Sequence, residues 1–584
     1  MTPDSPTVLL DSFGERKFTS SWRFDGYIKS LTAYTANEVI SVLNQIERAA
    51  ADGFYAVGFV AYEAAPAINP ELTTAPPMEG LPLAWFSIYR ERYAVSAGSG
   101  LNLTPTELDF KLTPENDIEQ YSNDINRILN YIACGDCYQV NHTFSMSTDL
   151  NFNLVELYRR LASAQQASFC SFLDIGRFKI LSASPELFFS LNNSKITVTP
   201  MKGTGTRGRW LSDDLTAIKN LRESTKDRAE NLMIVDLLRN DLGIIADTGT
   251  VQVDSLFDIE TYPTVHQMTS TISAKISSKT ALRDIFKAIF PCGSITGAPK
   301  RRSMEIIAGT ESSARGVYCG TIGFVAPGGE ALFSVAIRTL VHDTKNGRVT
   351  MGVGSAITWD SEIKSEYSEC LGKVLFVNRK NPDFYLIESL RLDNGNYFRM
   401  DRHISRLTDS AKYFGFNFDY AGIRKKLLDH ASDLQGLFKT RLLMNCDGCV
   451  HIESEPLTDD NKTLSVKISS STVDSKDSML YHKTTLRIFF ENARAEYPDC
   501  DEVIFLNERG ELTEGSYNSL VINLDGFMLT PLLTSGLLPG VMRAELLDNA
   551  KLVERILYPS DLEKATETWL VNSVRGWRRC VLNM

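Results

Sequence analysis

Apolar residues recur along this chain with two spacings, and the alternation between them predicts a mixed α+β architecture. Val39, Ile40, Leu43 and Ile46 fall at helical spacing and predict a helix over 36–51; a strand-like run, 56–61, and a Pro-rich loop, 65–82, follow. Ile118, Tyr121, Ile125, Ile128, Leu129 and Ile132 predict a helix over 117–133 that stops at Gly135. Two short apolar runs, 187–191 and 196–198, joined by the polar turn 192–195, read as a β-hairpin. Helices are expected at 226–241, with Leu232, Ile234, Val235 and Leu238 buried, and at 280–289 and 300–307. Strands follow at 320–325, 331–340 and 348–353. A helix over 362–377 then carries Ile363, Tyr367, Leu371 and Val374 on one side. Residues 379–383 are polar and contain a proline, so a linker is placed there, between a domain 1–378 and a domain 384–584. Within the first, residues 1–110 read as α/β or α+β without legible chemistry.

Composition adds exclusions. A 584-residue chain exceeds one core, and 43% hydrophobic with 23% charged residues is ordinary globular composition. A net charge of −11 with no Lys/Arg-rich run argues against nucleic acid as a partner. No apolar run approaches the ~20 residues of a membrane span, and the start MTPDSPTVLLDSF is acidic where a signal peptide is basic. A cytoplasmic protein with no membrane partner is expected. Ten cysteines in so long a chain are no disulfide scaffold. The pairs Cys134/Cys137 and Cys446/Cys449 lie about three hundred residues apart, each in an apparent core segment, and read as coincidence rather than a zinc site.

Candidate chemistry begins at the hairpin, which brings Glu186 and Lys202 to one end. An acid and an amine so placed suit a general acid with a nucleophile, or a plain ion pair. The run Gly203–Gly208 fits GxGxxG formally, but no helix opens directly from it, so a dinucleotide site is rejected. Glu230, near the start of its helix, has a bland reading in the helix dipole. Glu366 and Glu369 lie a turn apart opposite an apolar face, as either a solvated stripe or ligands facing a cleft. The loop 291–300, with the hydroxyls of Ser294 and Thr296 among glycines, suits close approach by an anionic ligand.

In order, SASPE, PMKGT, RAENLMIVDLLRND, GSITGAPK, IRTL and SEYSEC resemble the chorismate-utilising enzymes, densely over about 115–378 and weakly before that. The resemblance implies that family's fold, antiparallel sheets sandwiched with helices, and chorismate as substrate. Lysine at 202, where anthranilate-forming members carry alanine, implies amination at ring C4. Gln139 stands where water-adding members carry a lysine. The family further implies Glu186 as general acid, Lys202 as nucleophile at C2, and Mg²⁺ on Glu230, Glu366 and Glu369. A substrate carboxylate would lie on Tyr318, Arg338, Lys373 and the Gly352/Gly354 turn, and His266 would line the ring pocket, with Ser294 and Thr296 also binding substrate. None of the ten cysteines sits in a G-x-C-x-G elbow, so a separate glutamine amidotransferase subunit is expected as partner, with free ammonia a poorer substitute. LLDS at 9–12 resembles the LLES element of the tryptophan pocket in related enzymes, with aspartate in place of glutamate.

FRMDRHISRLTDSA, YHKTT, LTEGSYNSL and SGLLPGVMR resemble fold-type IV pyridoxal-phosphate enzymes, an α/β fold, over most of 384–584. The resemblance implies pyridoxal 5'-phosphate bonded to Lys483, Glu514 on its pyridine nitrogen, and Arg406 with the Gly540–Val541 backbone on its phosphate. Aminodeoxychorismate lyase is the implied relative, so the two halves together imply formation of 4-aminobenzoate for folate. An anthranilate-forming enzyme with an aminotransferase-like appendage, or a catalytically silent homodimerisation module in the second half, are the alternatives.

Overall fold

The computed structural model describes residues 6–14, 20–99, 110–149, 153–378, 384–458 and 462–583. Two compact units emerge, one of residues 1–206 and 218–381, the other of 207–217 and 382–584. The linker expected at 379–383 lies outside the described residues. The segment 207–217 departs from the continuous first domain expected from the sequence.

In the first unit the described strands form one hydrogen-bonded network built on antiparallel pairs. Strand Gln139–Asp149 pairs along its length with Arg348–Ile357, from Val140↔Ile357 to Asp149↔Arg348. The hairpin is present: Leu187–Asn192 pairs with Lys195–Thr199, and strand Met201–Thr206 follows at once. Strands 195–199 and 201–206 both align on Val265–Lys275, with an irregular register between Met201 and Thr204. Antiparallel pairing therefore brings Glu186, at the entrance of one hairpin strand, and Lys202, past the exit of the other, to one end of the sheet.

Helices cover the network with two apolar clusters. Ala36–Ala51, Thr225–Gly243 and Leu282–Ile289 contribute to one, through residues such as Leu43, Ile234 and Phe286. Ile118–Ala133 and Leu154–Gln165 contribute to the other, joined by Ile306, Ile307 and Cys370. The first of these helices is capped by the Asp117 side chain, which accepts from Gln120 N at 2.8 Å.

Several expectations change. The run 331–340 breaks into Ala331–Val335 and Thr339–Asp343, because Arg338 between them has φ +51°. Leu232 is exposed rather than buried. The 65–82 loop begins with a helical turn, Ala65–Ile68. Helix Thr225–Gly243 starts early enough that Glu230 lies beyond its first turn, so the dipole accounts little for it. Cys134, Cys446 and Cys449 are exposed, not core.

The second unit holds a four-stranded antiparallel sheet around Leu386–Asp393 and Leu437–Met444, backed by helices Met400–Phe414 and Tyr420–Ser432. An eight-stranded mixed sheet accompanies it, in which Leu464–Val473 pairs parallel with both Glu502–Asn507 and Gly576–Leu582. Segment 207–217 is part of this unit. Arg207 makes two bonds to Asp214 (2.8 and 2.9 Å) and lies over the Tyr413 ring, while Gly208 N donates to Asp214 at 2.8 Å. The glycine-rich run thus ends in an internal ion pair, not a phosphate loop. Among the described residues no helix is long and apolar enough to cross a membrane.

Candidate active sites

A cavity of about 320 Å³ in the first unit is lined by both Glu186 and Lys202. Glu186 is 3% exposed and accepts from Ser294 Oγ at 2.5 Å. Burial pushes its carboxyl up to about 7, while the Ser294 bond and Lys202 pull the other way. The acid thus holds its proton near neutrality. Burial likewise lowers the Lys202 ammonium from its ordinary value, opposed by Glu186 and Glu230. Lys202 Nζ donates to Asn141 Oδ1 at 3.1 Å, and its own carbonyl accepts from Asn231 Nδ2 at 3.3 Å.

Glu230, Glu366 and Glu369 line the same cavity. Burial raises Glu230, with Lys202 and Lys226 opposing. For Glu369 burial acts upward too, but Lys373 at 2.7 Å outweighs it and leaves the carboxyl lowered. Among the described residues no three His, Cys, Asp or Glu side chains converge on a metal-sized point. The glutamates therefore share a wall rather than a ready-made cage. As hard oxygen donors they suit Mg²⁺ completed by waters and a ligand's carboxylate.

Tyr318, Arg338, Lys373, Gly352 and Gly354 also line the cavity. Arg338 bonds the Lys373 carbonyl, lies over the Phe376 ring, and is lowered by burial to about 10. Lys373 Nζ donates to Gly354 O at 2.7 Å. A Cβ at position 352 would lie 2.1 Å from the Tyr318 ring, so this close approach requires glycine.

Two placements differ from expectation, those of His266 and Thr296. His266 is buried but does not line the cavity; its strand neighbours Val265 and Gln267 do, and alternation turns His266 to the other face, where Nδ1 meets Thr261 Oγ1 at 3.1 Å. Thr296 is fully buried and its hydroxyl donates to Cys292 O at 3.2 Å, closing the loop rather than facing the cavity. Gln139 is fully buried, its amide lacks hydrogen-bond partners, and it is not in the lining. Sequence reasoning missed Asn141, two residues further along the same strand face; the polar spacing Gln139-x-Asn141 was the available signal.

In the second unit a cavity of about 420 Å³ is lined by Lys483, Glu514, Arg406, Gly540 and Val541 together. Burial lowers Lys483 to about 7, reinforced by Arg487 and Arg406. Burial raises Glu514 to about 7, against a bond from Leu538 N at 3.0 Å. Arg406 is aimed by Glu388, which takes bonds of 2.9 and 2.7 Å from it. Glu388 is also 2.6 Å from His403 Nδ1, and His403 Nε2 meets Ser573 Oγ at 2.8 Å. Burial would raise Glu388, yet Arg406 and His403 hold it at about 2. Gly540 caps helix Val541–Asp548 at its N-terminus, and a Cβ there would lie 2.6 Å from Ser519 Oγ. A buried amine, an acid, an aimed guanidinium and a helix N-terminus on one cavity fit pyridoxal phosphate by aldehyde, ring nitrogen and phosphate. The 388–403–573 chain was missed, although His403 and Arg406 at i,i+3 on one helix were a visible signal.

Residues 100–379 match the family described as chorismate binding enzyme, and residues 385–582 match amino-transferase class IV. Over 256 residues the chain is 41% identical to aminodeoxychorismate synthase component 1 of Escherichia coli, covering 44% of this chain and 56% of that protein. It is 36% identical over 255 residues to anthranilate synthase component 1 of Pseudomonas aeruginosa, covering 44% and 51%. The chain thus spans about half the length of these curated relatives. The crystal structure of anthranilate synthase component I from Streptococcus pneumoniae aligns with a TM-score of 0.54 over 65% of this chain and 93% of that one; at 23% identity it shows the fold alone. The chain is thus similar over residues 100–379 to the chorismate binding enzymes and over 385–582 to the class IV aminotransferases.

Proposed function

We propose that the chain makes 4-aminobenzoate in two steps: amination of chorismate at C4, then loss of pyruvate from the aminated ring. One observation carries the first step: a protonated acid and a neutralisable amine, Glu186 and Lys202, line a single cavity. Lys202 nitrogen attacks ring C2 as the double bonds shift and the C4 hydroxyl leaves, taking the Glu186 proton as water. Ammonia then bonds to C4, the double bonds shift back and Lys202 departs as an amine. Arg338 and Lys373 fix a substrate carboxylate in this arrangement. Mg²⁺ on Glu230, Glu366 and Glu369 would neutralise another. The ammonia source is a separate glutamine amidotransferase subunit, as the "component 1" in the relatives' names supports.

For the second step, pyridoxal phosphate supplies an electron sink when bound. Lys483, Glu514 and Arg406 would hold it at aldehyde, pyridine nitrogen and phosphate. Lys483 then takes the proton from ring C4, and the ring becomes aromatic as enolpyruvate departs. Glu514, as a carboxylate, would accept the pyridine N–H and so keep that nitrogen protonated. A silent dimerisation module has no need for these groups on one cavity.

The test of the first step is Lys202→Ala with chorismate, Mg²⁺ and ammonium. Loss of aminodeoxychorismate formation is expected. Formation at the wild-type rate would remove Lys202 from the chemistry.

A further inference from the structure

Asn141 is held by hydrogen bonds at both its backbone N–H and its carbonyl. Its backbone N donates to Thr296 O at 2.9 Å, and its carbonyl accepts from Arg315 Nη2 at 2.8 Å. Arg315 is itself fixed by Glu311, with Nη2–Oε1 at 2.7 Å between two almost wholly buried side chains. The side chain so placed lines the cavity and is 7% exposed. Its Oδ1 accepts from Lys202 Nζ at 3.1 Å, while its Nδ2 is buried with no hydrogen-bond partner. A buried amide with an unpaired N–H costs about 1–3 kcal/mol. Stability alone would favour an apolar residue or a satisfied amide at such a place.

An amine that attacks carbon needs its lone pair directed at the carbon. A neutral lysine has two N–H bonds and one lone pair, on a stem of four rotatable bonds. An acceptor fixed on a strand captures one N–H and leaves the lone pair for the ring. A carbonyl oxygen does this without charge, whereas a carboxylate would hold the lysine protonated.

We infer that Asn141 is the positioning residue for the Lys202 amine, its Oδ1 fixing one N–H so that the lone pair faces the bound ring. This rests on the role proposed above for Lys202 and adds a determinant for it. The charged groups facing Lys202 are Glu186, Glu230, Glu369 and Lys373, and all are kept in the variants.

Asn141→Asp and Asn141→Ala test the inference in the full chain by two independent readouts. The first is the pH dependence of Lys202 acetylation by an N-hydroxysuccinimide ester, read by peptide mass spectrometry with Lys483 as internal control. Asn141→Asp, nearly isosteric, is expected to raise the Lys202 midpoint by about one pH unit or more and leave Lys483 unmoved. The second is steady-state amination of chorismate. Asn141→Ala is expected to lower kcat roughly 10- to 100-fold with KM changed little, the signature of lost orientation. An unmoved Lys202 midpoint in Asn141→Asp, or kcat within twofold of wild type in Asn141→Ala, overturns the inference. The acetylation readout needs no turnover. A shifted midpoint in a protein that does not aminate chorismate would overturn the proposed function while keeping the contact.

Discussion

Replacing Glu186 by Gln should damage catalysis and stabilise the fold, and the two effects can be read separately. The carboxyl lies in a buried site that moves its titration from 4.5 to about 7. That displacement corresponds to roughly 3 kcal/mol between the protonation states. The native state holds its proton between pH 4.5 and 7, where the unfolded chain releases it. Stability from this proton is therefore complete below 4.5 and is lost as pH rises through about 7. Gln stays neutral throughout and still accepts from Ser294. Relative to wild type it should gain under about 1 kcal/mol at pH 5 and roughly 3 kcal/mol at pH 8. Thermal unfolding of the full chain at the two pH values reads the difference as a few degrees. Loss of a general acid should cost about 10²–10⁴-fold in chorismate consumption, or roughly 3–5 kcal/mol on the barrier. An advantage that is the same at pH 5 and pH 8 would refute the raised titration. Chorismate consumption at the wild-type rate would refute the acid role.

Further outcomes follow from the same geometry. Lys483→Ala should abolish the absorbance near ~410–430 nm expected of a lysine-bound cofactor and let aminodeoxychorismate accumulate while chorismate is still consumed. Gly352→Ala drives a methyl to 2.1 Å from the Tyr318 ring; it should destabilise by about 1–3 kcal/mol, seen as a lower melting temperature, and slow the chorismate step with the lyase step unchanged. Glu388→Gln strips the charge that fixes Arg406 and His403 in a buried site; a loss of about 3–5 kcal/mol is expected in unfolding, with weaker cofactor retention on dialysis. EDTA should stop the chorismate step and spare the lyase step, with Glu366→Gln raising the Mg²⁺ concentration that restores it.

Regular elements were legible because their apolar spacing was strong, as in the helix Ala36–Ala51 and the 187–199 hairpin. Periodicity misjudged Leu232 because which helix face meets the core is decided by distant partners. It also could not foresee the break at Arg338, where a single left-handed residue ends one strand and turns the guanidinium toward the cavity wall. Glu366 and Glu369 resemble a solvated stripe on spacing alone, since a helix face toward a cavity and one toward bulk water have the same pattern. His266 was implied by the family resemblance and Thr296 by its hydroxyl-bearing loop, but strand alternation and a loop hydrogen bond turn their side chains away from the cavity. For Asn141 and the Glu388–His403–Ser573 chain the sequence offered only a spacing, and their partners, which lie far away in sequence, needed coordinates.

On the proposed function, conversion of chorismate to 4-aminobenzoate takes place at two separate sites in this chain. The most direct test is chromatographic product identification after incubating the protein with chorismate, Mg²⁺, ammonium and pyridoxal phosphate. Wild type should give 4-aminobenzoate and pyruvate, Lys202→Ala and Lys483→Ala alone should give neither, and the two variants mixed should restore both. Anthranilate as the product, or no 4-aminobenzoate from the mixture and the wild type, would contradict it.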